Sequence, residues 1–317
     1  MFRRYLIHLI MIAILVLAAA PGCAKKPTPK PAPPGAQAGE EPTISLFINK
    51  TGEKKNIKME EYLQGVVAAE MDTKWPVNAL AAQAILARTF TMENIESGRV
   101  KKLHGTDAST SVEEFQAYDP TRINDNVRQA VERTRGEVIT QDGKFIHSWF
   151  SACDGGVSAT AEEGLAYTKE PTPYIKSGVR DGCLSITEPK NRAWETRIPL
   201  EQVRAAVQKT TGKDPGSIGS VSIVKKGPSG RAEQLKIGDA TVGGPALRLA
   251  LGSEKVRSML LSDARVEGGQ MVLTGKGFGH GVGMCQWGAK LMAEQGKLPE
   301  DIVSFYFKDV EITRRWK

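Results

Sequence analysis

Glu70 and Arg88 are charged side chains on predicted helical faces that are otherwise apolar. Both lie within the Ala-rich stretch at residues 62–92. Glu70 follows Val66 at i+4 spacing on one predicted helical face. Arg88 continues the apolar stripe of a second predicted helix, which begins after the break at residues 75–76. Charged groups in such positions pair with each other or meet a ligand. A carboxyl group on an apolar face suits general acid chemistry, while a structural ion pair remains an open alternative.

A glycine-dense loop at residues 275–283 is the second candidate for chemistry, because five alternating glycines surround His280. Glycines at this spacing permit positive φ, close backbone approach and exposure of amides to a ligand. The spacing matches neither a phosphate loop nor a dinucleotide-binding loop. His280 is therefore either a functional residue or a structural hydrogen-bonding residue, and Gln286 and Trp287 follow it closely.

The cysteines give a third candidate, since imidazole and thiolate groups are good Zn²⁺ ligands. His147, Cys153 and Cys183 form one candidate metal set. The spacing leaves a Cys153–Cys183 disulfide and unremarkable thiols open as alternatives. Cys285 is more typical of a small buried apolar residue than of a nucleophile.

The N-terminal region predicts export and membrane attachment. Residues 1–22 combine Arg3 and Arg4 with an apolar run and a small-residue end, as in a signal peptide. The small residues before Cys23 resemble a bacterial lipobox, so we expect Cys23 to be lipidated, with ordinary secretion or an uncleaved anchor as alternatives. Residues 23–41 are proline-rich and predict an extended tether. The protein is thus expected to be extracytoplasmic and membrane-anchored, with its folded domain at residues 42–317.

Composition indicates an ordinary globular domain, with 40% hydrophobic and 25% charged residues. The formal net charge of +7 is spread along the chain, without a basic helix or an aromatic and basic platform. We therefore expect no nucleic-acid partner.

These candidate residues fall on a predicted mixture of helices, antiparallel hairpins and loops. Strands are predicted at residues 43–49 and 54–59, directly before the Ala-rich helices. The clearest hairpin joins residues 137–141 to 144–150 and includes His147. Another helix is predicted at residues 253–261. Strands and helices do not alternate regularly, so we predict an α+β fold forming a single catalytic domain.

Three motifs resemble those of the SpoIID/LytB family, which comprises stage II sporulation protein D and related amidase-enhancer proteins. The first runs through residues 65–89, with G-V-V-A-A-E-M, W-P, A-L-A-A-Q-A and A-R-T. The second is S-A-C-D-G-G at residues 151–156. The third is G-K-G-F-G-H-G-V-G-M-C-Q-W-G-A at residues 275–289, so the resemblance covers nearly everything after the tether.

The resemblance implies a lytic transglycosylase that cleaves peptidoglycan glycan strands, especially peptide-stripped ones, in sporulation or engulfment. Glu70 falls on the catalytic glutamate of the family. The substrate-binding residues are then expected to be Arg88, His280, Gln286, Trp287 and Gln83. The resemblance also implies that a structural zinc ion can bind, with His147 completing the set. An alternative is a non-catalytic wall-binding module that stimulates an N-acetylmuramoyl-L-alanine amidase.

The expected chemistry needs only one carboxyl group and no cofactor. In a lytic transglycosylase the muramyl 6-hydroxyl attacks its own anomeric carbon, giving a 1,6-anhydro end. Glu70 would protonate the leaving oxygen and then accept the hydroxyl proton. Its apolar surroundings favour the protonated form, which an adjacent guanidinium would oppose. We therefore predict that Arg88 binds substrate or another carboxylate, and not Glu70.

Overall fold

The computed structural model describes residues 39–317. The predicted signal peptide at 1–22, Cys23 and most of the tether lie outside the described residues. The helices are α1 (Met59–Glu70), α2 (Val77–Ser97), α3 (Arg99–His104), α4 (Asp125–Arg133), α5 (Ala161–Leu165), α6 (Pro189–Arg192), α7 (Leu200–Thr211), α8 (Gly244–Leu251), α9 (Gln286–Glu294) and α10 (Pro299–Tyr306). The strands are β1 (Thr43–Ile48), β2 (Glu53–Lys58), β3 (Ala108–Ser109), β4 (Glu137–Gln141), β5 (Lys144–Phe145), β6 (Phe150–Ser151), β7 (Trp194–Pro199), β8 (Val221–Lys226), β9 (Ala232–Ile237), β10 (Ala240–Gly243), β11 (Leu261–Glu267), β12 (Gln270–Gly275), β13 (Met284–Cys285) and β14 (Glu311–Arg314). This mixture confirms the α+β class.

Helix α2 is central because its sequence is apolar on almost every side. Residues 79–89 are all buried, as expected for a helix without a continuous polar face. The helix packs against α1, α4, α9 and α10, and against β4. Both helices predicted within residues 62–92 are confirmed. Neither α2 nor any other helix in residues 39–317 combines the length and apolarity needed to cross a bilayer.

Small sheets surround this helix. β1 pairs with β2 in antiparallel and with β3 in parallel orientation, while β4 lies between β14 and β5. A short parallel pair joins β6 to β13, directly before α9. The apolar side chains of these elements form the main core, which includes Leu46, Leu63, Leu80, Ile85, Ile302 and Tyr306.

Residues 194–273 contribute a second hydrophobic cluster, here called the second core. It lies between the β11–β12–β7 sheet, the β10–β9–β8 sheet and helices α7 and α8. The buried Arg231 joins it to the main-core segments. Its Nη2 and Nη1 atoms donate to the carbonyl oxygens of Asp154 and Val157 at 2.5 and 2.9 Å. The predicted domain at residues 42–317 therefore contains two hydrophobic clusters.

The hairpin prediction is confirmed for β4 and the turn but is wrong for the second strand. That strand ends at Phe145, and not at residue 150. Beyond it the chain bonds elsewhere: the Ser148 hydroxyl donates to the Leu86 carbonyl in α2 at 2.8 Å. The His147 N–H donates to the Tyr174 hydroxyl at 3.1 Å. Alternating burial continues through this segment, so its pattern resembles a strand although its backbone leaves the sheet.

The helix predicted at residues 253–261 is also wrong. Only one turn forms there, with the Val256 N–H bonded to the Gly252 carbonyl at 3.0 Å. The carbonyl of Met259 then accepts from the N–H of Ala232, the first residue of β9, at 2.8 Å. Strand β11 begins at Leu261 and pairs with β12. Tertiary pairing of the backbone therefore overrides the local helical pattern.

Residues 39–41, the end of the predicted tether, already contact the folded domain. The Gly39 N–H donates to the Arg315 carbonyl at 2.8 Å. The Glu41 carboxylate accepts from the Glu60 N–H at 2.9 Å and pairs with Arg135. The folded contacts thus include Gly39, three residues ahead of the predicted boundary at Pro42.

Candidate active site

Glu70 is the last residue of α1, and its carboxyl group is half-buried against the segment at residues 115–118. The Ala117 N–H donates a 2.9 Å hydrogen bond to Glu70 Oε1. Within the described residues, Oε2 of Glu70 has no hydrogen-bond partner. One carboxyl oxygen is therefore held in place by the protein, and the other remains available to a ligand.

The surroundings of Glu70 favour its protonated form. Burial raises the pKa of Glu70 to about 7, although the hydrogen bond from Ala117 acts in the opposite direction. The partial negative charge at the end of a helix also disfavours a carboxylate there. Near neutral pH much of the protein therefore carries a protonated Glu70, the form that a general acid requires.

Two tyrosines stack where residues 115–118 pack on α1. The rings of Tyr62 and Tyr118 are stacked with their centroids 5.6 Å apart. Tyr118 lies against Gly65, where an added Cβ would overlap the tyrosine ring. The Asp119 N–H also donates to the Gly65 carbonyl at 3.0 Å. Gly65 thus lets residues 116–119 approach α1 closely enough for Ala117 to reach Glu70.

Arg88 is fully buried and forms a bidentate pair with Glu60. Its Nε and Nη2 atoms donate to the two Glu60 oxygens at 3.0 and 2.5 Å. Glu60 Oε1 also accepts from the Gly136 N–H at 3.0 Å and from Trp316 Nε1 at 2.8 Å. The prediction that Arg88 binds a carboxylate other than Glu70 is confirmed. Its expected place in the sugar cleft is corrected, because an enclosed guanidinium does not reach substrate.

Gln83 and Gln286 lie together between α2 and α9. Gln286 Nε2 donates to Gln83 Oε1 at 3.3 Å, and both side chains are buried. Gln83 Nε2 is a buried donor without a partner in the described part of the chain. The two amides therefore join the helices and leave one donor unused.

Trp287 forms a partly exposed aromatic pair with Trp75. The ring centroids are 4.7 Å apart, and the planes are tilted by 58°. Lys290 Nζ lies 5.2 Å from the Trp287 ring centroid, within the range of a cation–π contact. This pair provides an apolar surface with a cation at its edge, at the beginnings of α2 and α9.

His280 is neutral and is bonded to its own loop. Its Nδ1 accepts from the Val282 N–H at 3.0 Å, so the neutral ring carries its proton on Nε2. Burial and the nearby charges of Arg248 and Arg231 lower the pKa of His280 to about 3. No hydrogen bond among residues 39–317 connects His280 with Glu70.

The glycines around His280 serve close packing of the backbone. Gly281 and Gly283 have φ values of 76° and 72°, in the left-handed region. An added Cβ would overlap the Arg231 guanidinium at Gly281 and the Trp149 carbonyl at Gly283. The loop is thus fitted against its neighbours, and its Phe278 N–H donates to the Cys153 carbonyl at 2.7 Å.

His147 lies among carboxylates, and the structure does not bring it together with the cysteines of its predicted metal set. Its Nε2 is 2.5 Å from Glu170 Oε1, and its Nδ1 is 3.6 Å from Glu93 Oε1. Burial lowers the pKa of His147, but the hydrogen bonds with Glu93 and Glu170 outweigh burial and raise it. Its ring stacks on Trp149 at a centroid distance of 4.8 Å. Cys153 and Cys183 instead lie beside Cys285.

Sequence reasoning missed Glu60 as the partner of Arg88 and Ala117 as the donor to Glu70. Glu60 resembles an ordinary acidic residue in the first turn of a helix. The Ala117 contact uses a backbone amide, which no side-chain pattern reveals. Trp75 was visible in the W-P motif, but only the packing of α2 on α9 places it beside Trp287.

Comparison with known proteins identifies the family. Residues 48–141 match the family described as stage II sporulation protein, and residues 184–283 match a domain of unknown function (DUF8618). The chain is 32% identical to stage II sporulation protein D of Bacillus amyloliquefaciens, over 87% of this chain and 82% of that protein. It is 33% identical to an uncharacterized protein of Brachyspira hyodysenteriae, over 81% of this chain and 67% of that protein. The amidase enhancer of Bacillus subtilis is 26% identical over 79% of this chain and 40% of its own length. The chain belongs to the SpoIID/LytB family.

Proposed function

We propose that this protein acts on the cell wall as a lytic transglycosylase, cleaving peptidoglycan glycan strands to 1,6-anhydromuramyl ends. The observation that carries the proposal is the setting of Glu70. Its carboxyl group is half-buried, has a pKa raised to about 7 and keeps one oxygen without a partner among the described residues. Family membership supports a role in sporulation, and peptide-stripped strands are the proposed substrate.

The proposed reaction cycles one proton through Glu70. The protonated carboxyl group donates its proton to the glycosidic oxygen as the bond to the muramyl anomeric carbon breaks. The muramyl 6-hydroxyl oxygen then bonds to that carbon, and its proton passes to the Glu70 carboxylate. The carboxyl group returns to its starting form without water entering the product. A hydrolase would need a second carboxyl group to direct water.

Other residues of the site would bind the glycan strand. The partly exposed pair of Trp75 and Trp287 offers an apolar surface to a sugar ring, and Tyr118 offers another beside Glu70. Gln83 is as fully buried as Arg88 and would support this surface from behind, without reaching the strand. Pockets of this kind combine apolar walls with a few polar groups that orient the ligand.

The test is Glu70→Gln, assayed on peptide-free glycan strands with products identified by mass spectrometry. We expect anhydromuramyl products from the wild type and none above background from the variant. Glu61→Gln is the matched control, because Glu61 lies on the same helix and is exposed. Anhydro products from the Glu70 variant at the wild-type rate would exclude the assignment.

The similarity to an amidase enhancer supports a second candidate, a wall-binding module that stimulates a cell-wall amidase. Stimulation by binding alone would not require a proton donor. Glu70→Gln would then stimulate a purified amidase as well as the wild type does, and neither protein would release products by itself. Loss of stimulation together with loss of anhydro products would instead assign both effects to glycan cleavage.

We also propose that the protein is held at the outer face of a membrane by lipid on Cys23 and by the proline-rich tether. The sequence of residues 1–22, which resembles a signal peptide, supports this placement, as do the cysteine directly after it and the proline-rich composition of residues 23–41. Cys23→Ser should move the protein from the membrane fraction to the soluble extracytoplasmic fraction. Unchanged membrane fractionation would contradict lipid attachment at Cys23.

A further inference from the structure

Three cysteines from distant parts of the chain meet in the interior. Cys153 follows β6, Cys183 begins the 3-10 turn Cys183–Ser185, and Cys285 precedes α9. Their sulfur atoms all lie within 4.8 Å of one another, and the side chains are fully buried. The distance between Cys153 Sγ and Cys183 Sγ is 3.6 Å.

A carboxylate with an unused oxygen lies beside this cluster. Asp154 is buried, and its Oδ1 lies 3.2 Å from Cys183 Sγ. Asp154 Oδ2 is buried without a hydrogen-bond partner within residues 39–317. The neighbouring Asp181 is already bonded, to the Cys183 N–H at 2.9 Å and to the Tyr306 hydroxyl at 2.7 Å. Asp154 therefore has a carboxylate oxygen that can still bind a metal ion.

Backbone amides are directed at one of the sulfurs. The N–H groups of Asp154 and Gly288 both lie 3.4 Å from Cys285 Sγ. Cys285 is also the N-cap residue of α9, where the helix carries partial positive charge. These donors would balance the negative charge that Cys285 Sγ carries when it binds a cation.

Three thiols without a bound metal ion would not explain all of these contacts. Buried thiols pack well as small apolar groups, but they do not account for a buried carboxylate oxygen without a partner, which costs free energy. A cation bonded to that oxygen and to the sulfurs would account for both. His147, the ligand expected from the sequence, is occupied by Glu170 and Glu93.

We propose that Cys153, Cys183 and Cys285 bind one Zn²⁺ ion as thiolates, with Asp154 as the fourth ligand. Thiolate sulfur selects Zn²⁺ over the oxygen-preferring Mg²⁺ and Ca²⁺. Binding forms three Zn–S bonds and one Zn–O bond and releases the thiol protons to solvent, without oxidation or reduction. A site with four protein ligands is structural.

Such an ion would join three segments, two of which contact or carry candidate substrate-binding residues. Cys153 is paired with Phe278 of the glycine loop, and Cys285 directly precedes Gln286 and Trp287. The proposed ion would therefore hold the His280 loop and the beginning of α9 in fixed relation. Zinc binding can be tested independently of the proposed catalytic role, since metal content can be measured without glycan.

The test is the metal content of the full chain, purified under reducing conditions, loaded with Zn²⁺ and then dialysed. We expect one zinc per chain in the wild type and in Cys23→Ser, which changes a cysteine outside the proposed ligand set. Cys183→Ser should lose the metal. Circular dichroism and the thermal midpoint, with and without a chelator, report whether that variant folds.

Cobalt substitution gives a readout that does not depend on a variant of a cysteine. Co²⁺ bound to the wild type should show sulfur-to-cobalt charge transfer and the intense visible bands of tetrahedral coordination. Asp154→Asn should retain the charge-transfer band, shift the visible bands and bind zinc more weakly. A zinc-free wild type after loading would overturn the proposal, as would a Cys153–Cys183 disulfide found in the protein purified with reductant, by thiol titration in denaturant after the reductant is removed.

Discussion

Glu60 and Glu70 lie on the same helix, but their surroundings give them different roles. The Glu60 carboxylate binds Arg88 and accepts from the Gly136 N–H and from Trp316. Glu70 receives a single backbone hydrogen bond, from Ala117. Glu60 is therefore held in a structural ion pair, whereas Glu70 keeps a carboxyl oxygen that no described residue binds.

The raised pKa of Glu70 predicts a pH-dependent difference in stability between the wild type and Glu70→Gln. The carboxyl group titrates near 4.5 when unfolded and near 7 when folded. Between these values the folded state binds more protons, so this group's contribution to stability is complete at low pH and is lost as pH rises through about 7. Glutamine does not titrate, so the melting temperature of the variant relative to the wild type should rise across this range.

Thermal unfolding followed by circular dichroism at a series of pH values measures this difference. Glu61→Gln is the control, because it changes an exposed carboxylate on the same helix and should show no such trend. A constant offset between Glu70→Gln and the wild type at all pH values would show that the pKa of Glu70 is not raised.

The buried pair of Arg88 and Glu60 predicts a large loss of stability when one partner is removed. Arg88→Met leaves the Glu60 carboxylate buried without its cation, and we expect a loss of about 3–5 kcal/mol. Asp125→Asn breaks the exposed pair with Arg128 and should cost less than about 1 kcal/mol. Urea unfolding compares the two, and equal losses would contradict a structural role for Arg88.

At the scale of elements, the contact between α1 and residues 116–119 controls the surroundings of Glu70. The contact depends on the absence of a side chain at Gly65, on which the Tyr118 ring lies. The helix therefore presents its catalytic candidate to a segment that arrives from elsewhere in the chain. A methyl group added at position 65 should therefore alter the surroundings of the Glu70 carboxyl group without contacting it.

Gly65→Ala tests this contact directly. The added Cβ would push Tyr118 away and weaken the hydrogen bond from Ala117 to Glu70, at an overpacking cost of about 1–3 kcal/mol. Gly243→Ala is the control, because a Cβ there meets no atom within 4 Å. In chemical unfolding, the loss of stability in the double variant Gly65→Ala/Tyr118→Ala should be smaller than the sum of the two single losses. Strictly additive losses would show that the two residues do not compete for space.

The sequence predicted the elements that have strong local periodicity. It did not predict contacts between residues that are far apart in the chain. The Ala-rich pattern predicted α1 and α2 correctly, but it did not reveal Glu60, which lies 28 residues from Arg88. Cys285 is separated from Asp154 by 131 residues, so sequence spacing could not place it beside the other thiols. Contacts of this kind depend on how helices and loops pack, and one sequence contains little direct information about that packing.

At the scale of the whole molecule, the two hydrophobic clusters are joined by a few buried polar contacts. Arg231 lies on the side of the second core. Its guanidinium donates to the carbonyl of Asp154, while its backbone N–H donates to the Glu163 carboxylate at 3.1 Å. Charged hydrogen bonds in the interior are costly to lose because the remaining partners are left unpaired. The cooperativity between the two cores should therefore depend on this arginine.

The substitution Arg231→Gln should change how the protein unfolds. We expect the single calorimetric transition of the wild type to split into two, with the second core melting at the lower temperature. Arg197→Gln is the control, since it changes an exposed arginine in the same part of the chain. One transition at an unchanged temperature would show that Arg231 does not couple the two cores.

The docking of residues 39–41 on the domain also has a mechanical consequence. If the preceding segment is the proposed membrane tether, any pull on it first loads Gly39, which is bonded to Arg315, and Glu41, which is paired with Arg135. Glu41 also accepts from the Glu60 N–H in the first turn of α1, so the load is passed to that end of the helix, and Glu70 lies at the opposite end. A membrane that moved along the wall would thus pull the domain at the end of α1 that is opposite to Glu70, the proposed proton donor.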